Sequence, residues 1–308
     1  WELALLPTAA WGTTAGTAQF VKGALKGANS GSFDKLRARL YPNLSTSQVR
    51  TAPLRRLSGR SVDEAEKTLK LSKVVSIDPS ELWKGGANNP SLVTLEDGTK
   101  AVWKPRQNKL YSNYRAEVLA YELDRKFGFN LVPPTVERTI NGKKGSLQLY
   151  REHKFEDLDY TFRFLRGLER GPSPESSVKT SQDMKKQEVF DILIENTDRN
   201  LKDIFIVDGN IHSLHKNYLI SPGGNVISID NGIGFTGKKE RGFRLQVHLF
   251  REAISEFREL DESKTIIENM RSSLTVEFEE EIADYLGKED TAHLIDRMRG
   301  IVRIYDLQ

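Results

Sequence analysis

The sequence predicts an α+β protein of two lobes, with strands gathered before a seam near residue 151 and helices dominating after it. Two observations carry this. The turn dipeptides Asp97-Gly98 and Asn141-Gly142 each sit between short apolar runs, the signature of hairpins. Beyond Arg151 the apolar spacing is mostly helical and encloses one small pair of strands. With 308 residues, 38% of them hydrophobic and 29% charged, the chain can bury a core in both lobes and is not a disordered sequence.

In chain order, residues 1–30 are small and apolar with four glycines before Asn29, and read as a loosely helical leader. Helical pieces follow at 33–41 and 61–72, the second capped by Ser61 with Asp63 and Glu64 behind it. Leu92, Val93 and Leu95 lead into Asp97-Gly98, and Ala101, Val102 and Trp103 return. Tyr114, Val118, Leu119, Tyr121 and Leu123 then recur at mainly helical spacing within 112–127, where Gly128 is the stop. Residues 132–136 re-extend the chain, and Asn141-Gly142 turns it into 146–150. The stretch 169–183 is rich in Ser, Pro, Gly and charge and reads as an exposed loop. A helix at 183–196 precedes short strands at 204–207, 218–220 and 226–229, and helices at 244–258, 275–286 and 290–304 close the chain. The organisation expected is therefore a helical basic extension (1–72), a small β-rich lobe (73–151) and a larger helical lobe (152–308).

Composition narrows the function. No cysteine is present, which removes disulfides, thiol nucleophiles and thiolate metal sites. No window approaches 18 uninterrupted apolar residues, so no membrane span is expected. Position 1 is Trp rather than Met, as in a processed or trimmed product. The net charge of +3 is uneven: residues 1–72 carry 11 Lys/Arg against 5 Asp/Glu, while the remainder is slightly acidic. A basic segment of this kind docks on phosphates or an acidic partner, or is simply a solvated helical face. No recognition motif accompanies it, so nucleic acid is not an expected partner.

The chemistry-bearing residues fall into a definite order. Gly85-Gly86-Ala87-Asn88-Asn89 precedes the first hairpin strand; paired glycines let backbone N–H groups approach phosphate oxygens, although Gly-Gly-Asn is also an ordinary turn. Strand alternation puts Lys100, Val102 and Lys104 on one face, with Ala101 and Trp103 on the other. Lys104, deeper in the sheet, suits phosphate binding; the alternative is a lysine guarding an edge strand. Glu117 lies among Ala116, Val118 and Ala120, small neighbours that let that helix face approach a sheet, and Lys104 is its natural partner. Asn196-Thr197-Asp198-Arg199-Asn200 follows the helix carrying Val189, Ile192 and Leu193. Asp230 ends the apolar strand at 226–229, and Gly232 permits a sharp turn, a common placement for a metal-binding carboxylate. A phosphate-holding loop and lysine, a metal ligand and a carboxylate for the attacking hydroxyl are the parts phosphoryl transfer needs.

Lys104-Pro105, the segment 117–136 (EVLAYELDRKFGFNLVPPTV), Asn196-Thr197-Asp198-Arg199 and Ile229-Asp230-Asn231-Gly232 resemble the secretory-pathway (Golgi casein kinase and four-jointed) kinases. They are more distantly similar to HipA-type and phosphatidylinositol kinases. The resemblance covers roughly residues 82–235 and implies a bilobal protein-kinase-like fold that uses ATP and Mg²⁺ or Mn²⁺. It implies Lys104 at the ATP phosphates and Glu117 paired with Lys104 or reaching the metal. Asp198 would be the catalytic base, Asp230 the main metal ligand, and Gly85, Gly86 and Asn88 part of the glycine-rich loop. Two departures stand out. The family often has His after Asp-Arg, where this chain has Asn200. The second metal ligand, an Asn about five residues past the base, is displaced: Asp203 holds that spacing. Lys216-Asn217-Tyr218-Leu219-Ile220 nevertheless reads like the family's Asn and strand, thirteen residues before Asp230. Asn217 is therefore preferred, with 201–215 as an insertion and Asp203 as second choice. The resemblance implies transfer of the γ-phosphoryl group to a Ser/Thr hydroxyl of a protein substrate, in or beyond the secretory pathway. A pseudokinase serving as a nucleotide- or partner-binding module, a kinase-fold enzyme transferring AMP, and a cytoplasmic location stay open. The single Asn43-Leu44-Ser45 sequon is too common to decide the compartment.

Overall fold

The computed structural model describes residues 61–79, 90–107, 113–151, 174–196, 204–207, 210–213, 217–221, 225–235 and 246–307. The expected leader and helix at 33–41, the loop Gly85, Gly86 and Asn88, and the residues Asp198 and Asp203 lie outside these. Among the described residues the chain is α+β, as expected. A five-stranded antiparallel sheet lies before residue 151, and mostly helices follow.

The first helix, α1 (Val62–Leu71), begins at Ser61 with a reciprocal cap: Glu64 N–H donates to Ser61 Oγ at 3.2 Å and Ser61 N–H to Glu64 Oε2 at 2.7 Å. Next come β1 (Val74–Asp78), β2 (Ser91–Leu95) and β3 (Lys100–Pro105), then α2 (Tyr114–Phe127), β4 (Thr135–Ile140) and β5 (Lys143–Leu149). The sheet order is β1-β2-β3-β5-β4, with every neighbouring pair antiparallel. Both dipeptide turns sit where the sequence puts them. At the second, Asn141 and Gly142 both take positive φ (50° and 74°), the requirement of a tight two-residue hairpin. Strand β1 was not foreseen. It is an edge strand whose Val75 is exposed, so its sequence lacks the alternation of a half-buried strand.

One face of the sheet (Val93, Leu95, Ala101, Trp103, Val136, Leu147) packs with Leu69 of α1 into a small core. A larger core joins α2 to the helical half. There Phe127, Phe129, Phe190 and Phe257 are fully buried, each contributing roughly 1.5–3 kcal/mol over exposure. That half comprises α3 (Pro174–Ile194), the strand pairs β6–β7 (Ile204–Val207 and Asn210–Ser213) and β8–β9 (Tyr218–Ile220 and Val226–Ser228), then α4 (Gln246–Arg258), α5 (Ser263–Ser272), α6 (Val276–Leu286) and α7 (Lys288–Leu307). Two elements correct the sequence reading. Helix α3 starts at Pro174, so most of the expected loop is helical; proline at a helix's first position has no donor to lose. Helix α5 stands where the sequence reading gave no element. Its buried face is Ser263, Ile266, Ile267 and Met270 alone, and Glu262 makes no side-chain cap, so the helical signal is short and unpunctuated.

Candidate active site

Lys104 stands on β3, the middle strand of five, so it does not guard an edge. Ala101 and Trp103 point into the small core and Lys104 to the opposite face, as alternation requires. Across from Pro105 on β5 is Gly145, where a Cβ would sit 2.3 Å from the Lys104 carbonyl oxygen and 2.6 Å from Trp103 Cη2. Only glycine lets the two strands close at the point where Lys104 leaves the sheet.

Helix α2 delivers Glu117 to that lysine. Its start is capped by Asn113, which accepts from Arg115 N–H at 3.0 Å, and its end by Gly128 in the left-handed region at φ 90°. Behind it, α1 is docked by a buried polar contact: Tyr121 donates to Glu66 at 2.5 Å, and Arg125 pairs with Glu66 and, at 2.7 Å, with Asp63. From the helical half, Asn269 donates to the Phe127 carbonyl at 3.0 Å and Tyr285 to the Arg115 carbonyl at 3.2 Å. The helix is thus held at both ends and along its back.

Asp230 arrives from the other side of the chain. Strand β9 is pinned by Ser228 N–H donating to the Leu131 carbonyl at 2.9 Å and by Val226 N–H donating to the buried carboxylate of Asp183 at 3.2 Å. Ile229 N–H donates to the Asn217 carbonyl at 3.0 Å, which puts Asn217 and Asp230 at the same end of the β8–β9 hairpin. Both take left-handed backbone, at φ 75° and 54°. Asn and Asp are the non-glycine residues that tolerate it best.

At the junction, Lys104 Nζ donates to Glu117 Oε1 and, at 2.9 Å, to Asp230 Oδ1. The other oxygen of Glu117 accepts Asn231 N–H at 3.0 Å. Both Glu117 oxygens are therefore engaged, and its place is beside Lys104. Asn231, fully buried, accepts through Oδ1 from Ser228 Oγ at 3.2 Å and Asn196 Nδ2 at 3.4 Å. The turn also reaches the start of α2, since Asn113 N–H donates to the Gly232 carbonyl at 3.1 Å. A Cβ on Gly232 would press within 3.2 Å of Glu117 Oε1. Burial opposes the charge on Lys104, yet Glu117 and Asp230 outweigh it and hold the ammonium above its ordinary value. Burial pushes the Glu117 carboxyl up while Lys104 pulls it down.

Lys104, Glu117 and Asp230 are thus in direct contact, and Asn217 shares their corner. Asn196, which leads by two residues to Asp198, is joined to them through Asn231. The positions of Asn196 and Asn231 in the motifs were legible, but their role as a connector was not, because it exists only through contacts 35 and 114 residues apart. Among the described residues no group of three or more His, Cys, Asp or Glu is placed to hold a metal by itself. The donor set still fits a hydrated Mg²⁺ or Mn²⁺ shared with phosphates. Asp230 is about a third exposed, whereas Lys104 is part-buried and Glu117 buried, and such ions need one or two carboxylates beside water and phosphate oxygens.

No family model and no curated protein matches this sequence. Solved structures do. A Golgi casein kinase aligns over 99% of this chain and 94% of its own at 14% identity and a TM-score of 0.41; the same kinase with Mn/ADP bound aligns over 99% and 92% at 14% and 0.42. A putative fructosamine-3-kinase from Thermobifida fusca aligns over 79% and 99% at 17% and 0.26. Among the described residues, no helix is long and apolar enough to cross a membrane.

Proposed function

We propose that this protein is an ATP- and divalent-metal-dependent phosphotransferase of the atypical kinase type, transferring the γ-phosphoryl group to a Ser/Thr hydroxyl of a protein. The observation that carries the reading is the double contact of Lys104, with Glu117 from α2 and with Asp230 from the Asp-Asn-Gly turn 126 residues away. The ammonium has three donors, of which Glu117 and Asp230 take two; a phosphate oxygen can accept the third, and a divalent ion held by Asp230 would free the second. ATP would bring the phosphoryl group, and Mg²⁺ or Mn²⁺ would spread its developing charge.

Within that reading, Lys104 binds phosphate oxygens, and Glu117 fixes the lysine through one oxygen while its other holds the Asn231 amide. Asp230, with Asn217 next to it, holds the metal. Asp198, two residues beyond Asn196, accepts the proton of the attacking hydroxyl, and Gly85, Gly86 and Asn88 cover the phosphates. The protein acceptor and a place in the secretory pathway rest on the sequence resemblance. Incubating the chain with ATP, Mg²⁺ or Mn²⁺ and a Ser/Thr peptide library, followed by intact-mass analysis, tests the proposal. Addition of phosphate supports it. Addition of AMP would make the enzyme a nucleotidyltransferase. A melting shift with ATP and metal but no added mass would make it a nucleotide-binding regulatory module. The absence of both a melting shift and added mass overturns the reading altogether.

A further inference from the structure

Side chains on β5 alternate between the two faces of the sheet. Leu147 enters the small core beside Trp103, its partner on β3, so Ser146 and Gln148 lie on the opposite face with Lys104 and Val102. Lys104 pairs with Ser146 and Val102 with Gln148. Gln148 therefore stands one pair further back, roughly 7 Å along the strands from the lysine's position. A ribose bridges such a distance between a base and its first phosphate. Val102, apolar and half-buried, is a surface on which a flat ring can lie.

The amide of Gln148 has a fixed direction. The residue is only 6% exposed, and its Nε2 donates to Thr135 Oγ1 on β4 at 2.9 Å. Thr135 in turn donates its one hydroxyl proton to the Pro133 carbonyl at 2.8 Å, so toward Gln148 it can only accept. The far end of this relay is itself held. Leu149 N–H donates to the Pro134 carbonyl at 2.8 Å and Ser228 N–H to the Leu131 carbonyl at 2.9 Å. The amide cannot turn over: its nitrogen faces Thr135 and its oxygen faces away. Among the described residues no group donates to that oxygen. A buried carbonyl without a donor is costly, and on the face that carries Lys104 a ligand can supply the donor.

We propose that Gln148 reads the nucleobase: its Oε1 accepts from the 6-amino group of a purine, so the site takes adenine nucleotides and rejects 6-oxo purines. A 6-oxo group there would set acceptor against acceptor and leave both unpaired. The proposal rests on the function proposed above, in which Lys104 marks the phosphate end of the site.

The test compares the binding of ADP and of inosine diphosphate, each with Mn²⁺, read from melting shifts over a concentration series. The two ligands differ only along the base edge that carries the 6-position. Wild type should bind ADP about tenfold more tightly than inosine diphosphate. Gln148→Met keeps the length of the side chain without its oxygen. It should weaken ADP about tenfold and leave inosine diphosphate within about twofold, so the ratio falls toward one. Thr135→Val removes the relay and lets the amide turn, so it should narrow the ratio from the other side, by tightening inosine diphosphate. A variant that had merely lost packing would weaken both diphosphates alike, and an unchanged ratio in a folded Gln148→Met overturns the proposal. If that variant does not fold, the wild-type ratio and Thr135→Val decide, and an unchanged ratio in Thr135→Val overturns it. Equal binding of the two diphosphates by wild type also overturns it, while the phosphotransferase reading stands. No shift with either nucleotide defeats that reading itself, and the proposal with it.

Discussion

Lys104 and Asp230 meet at 2.9 Å, but the two sides of that contact are held by different physics. The lysine side is a matter of packing: a central strand, hydrogen-bonded on both flanks, with Ala101 and Trp103 anchored in a core and Gly145 closing the gap behind it. The aspartate side is a matter of backbone conformation. Its strands are three residues long, Asn217 and Asp230 both take positive φ, and the carboxylate is far more exposed than its partners. Left-handed residues other than glycine cost of order 1–3 kcal/mol each and persist where surrounding contacts impose them. The cation is thus part of the scaffold, and the anion is placed by a strained turn whose chemistry suits a ligand.

The largest effect should come from the turn. Asp230→Ala should remove the melting shift produced by ATP with Mn²⁺ or Mg²⁺ and lower activity on the order of 10³-fold, with circular dichroism unchanged. A retained shift would place the anionic ligand elsewhere. Next, the scaffold side should respond asymmetrically. Lys104→Met leaves Glu117 buried without its cation and should lower stability by about 3 kcal/mol, whereas Glu117→Gln leaves Lys104 with Asp230 and should lower it less. Either change should remove roughly 10²-fold of activity, and the double variant little more than the worse single one, because coupled residues are non-additive. Strictly additive losses in kcat would mean that the contact has no part in turnover.

A smaller pair of effects separates strain from ligation at Asn217. Asn217→Ala and Asn217→Gly should weaken the apparent metal affinity alike, but only the alanine should also lower stability, by about 1 kcal/mol, since glycine accepts φ 75° freely. Unchanged metal affinity in both would return the role to Asp203. The smallest effect concerns the frame beneath β9. Burial pushes the Asp124 carboxyl up to about 7, although the Leu131 amide donates to it at 2.8 Å. Between pH about 4 and 7 the unfolded chain gives up this proton while the folded chain keeps it, so the group's contribution to stability falls as pH rises. Melting temperatures at pH 5 and 8 should therefore drop by a few degrees more in wild type than in Asp124→Asn; parallel curves would locate the ionisation elsewhere.

Much of this was legible because local chemistry and tertiary demand agree. Asp97-Gly98, Asn141-Gly142, the Ser61 cap and the Gly128 stop each specify a backbone conformation within a few residues, and all four stand where they were read. The Lys104–Glu117 pair was legible for a related reason: small residues around a helix glutamate say that something charged must face it. What escaped the sequence lacks such local demand. Strand β1 has a bulged register against β2 and an exposed Val75. Strand β7 (Asn210–Ser213) pairs, among the described residues, with β6 alone and carries one aliphatic residue, Ile211. Asn231, the connector, and Arg297 of α7, which donates to the Leu193 carbonyl at the end of α3, are ordinary polar residues until residues a hundred positions away are brought beside them.

The separations within the site also set an order in time. The Lys104–Glu117 contact spans 13 residues, the Lys104–Asp230 contact 126, and the grip of Arg297 on Leu193 another 104 in a different part of the chain. Local contacts close fast and distant ones slowly, and a nascent chain folds from its first lobe onward. A ribosome-bound chain halted at residue 200 therefore already carries the lysine and its glutamate but lacks the aspartate, and one halted at 280 has the aspartate without the arginine behind α3. The last of these contacts to form is thus the grip of α7 on the end of α3, after the lysine, the glutamate and the aspartate have met.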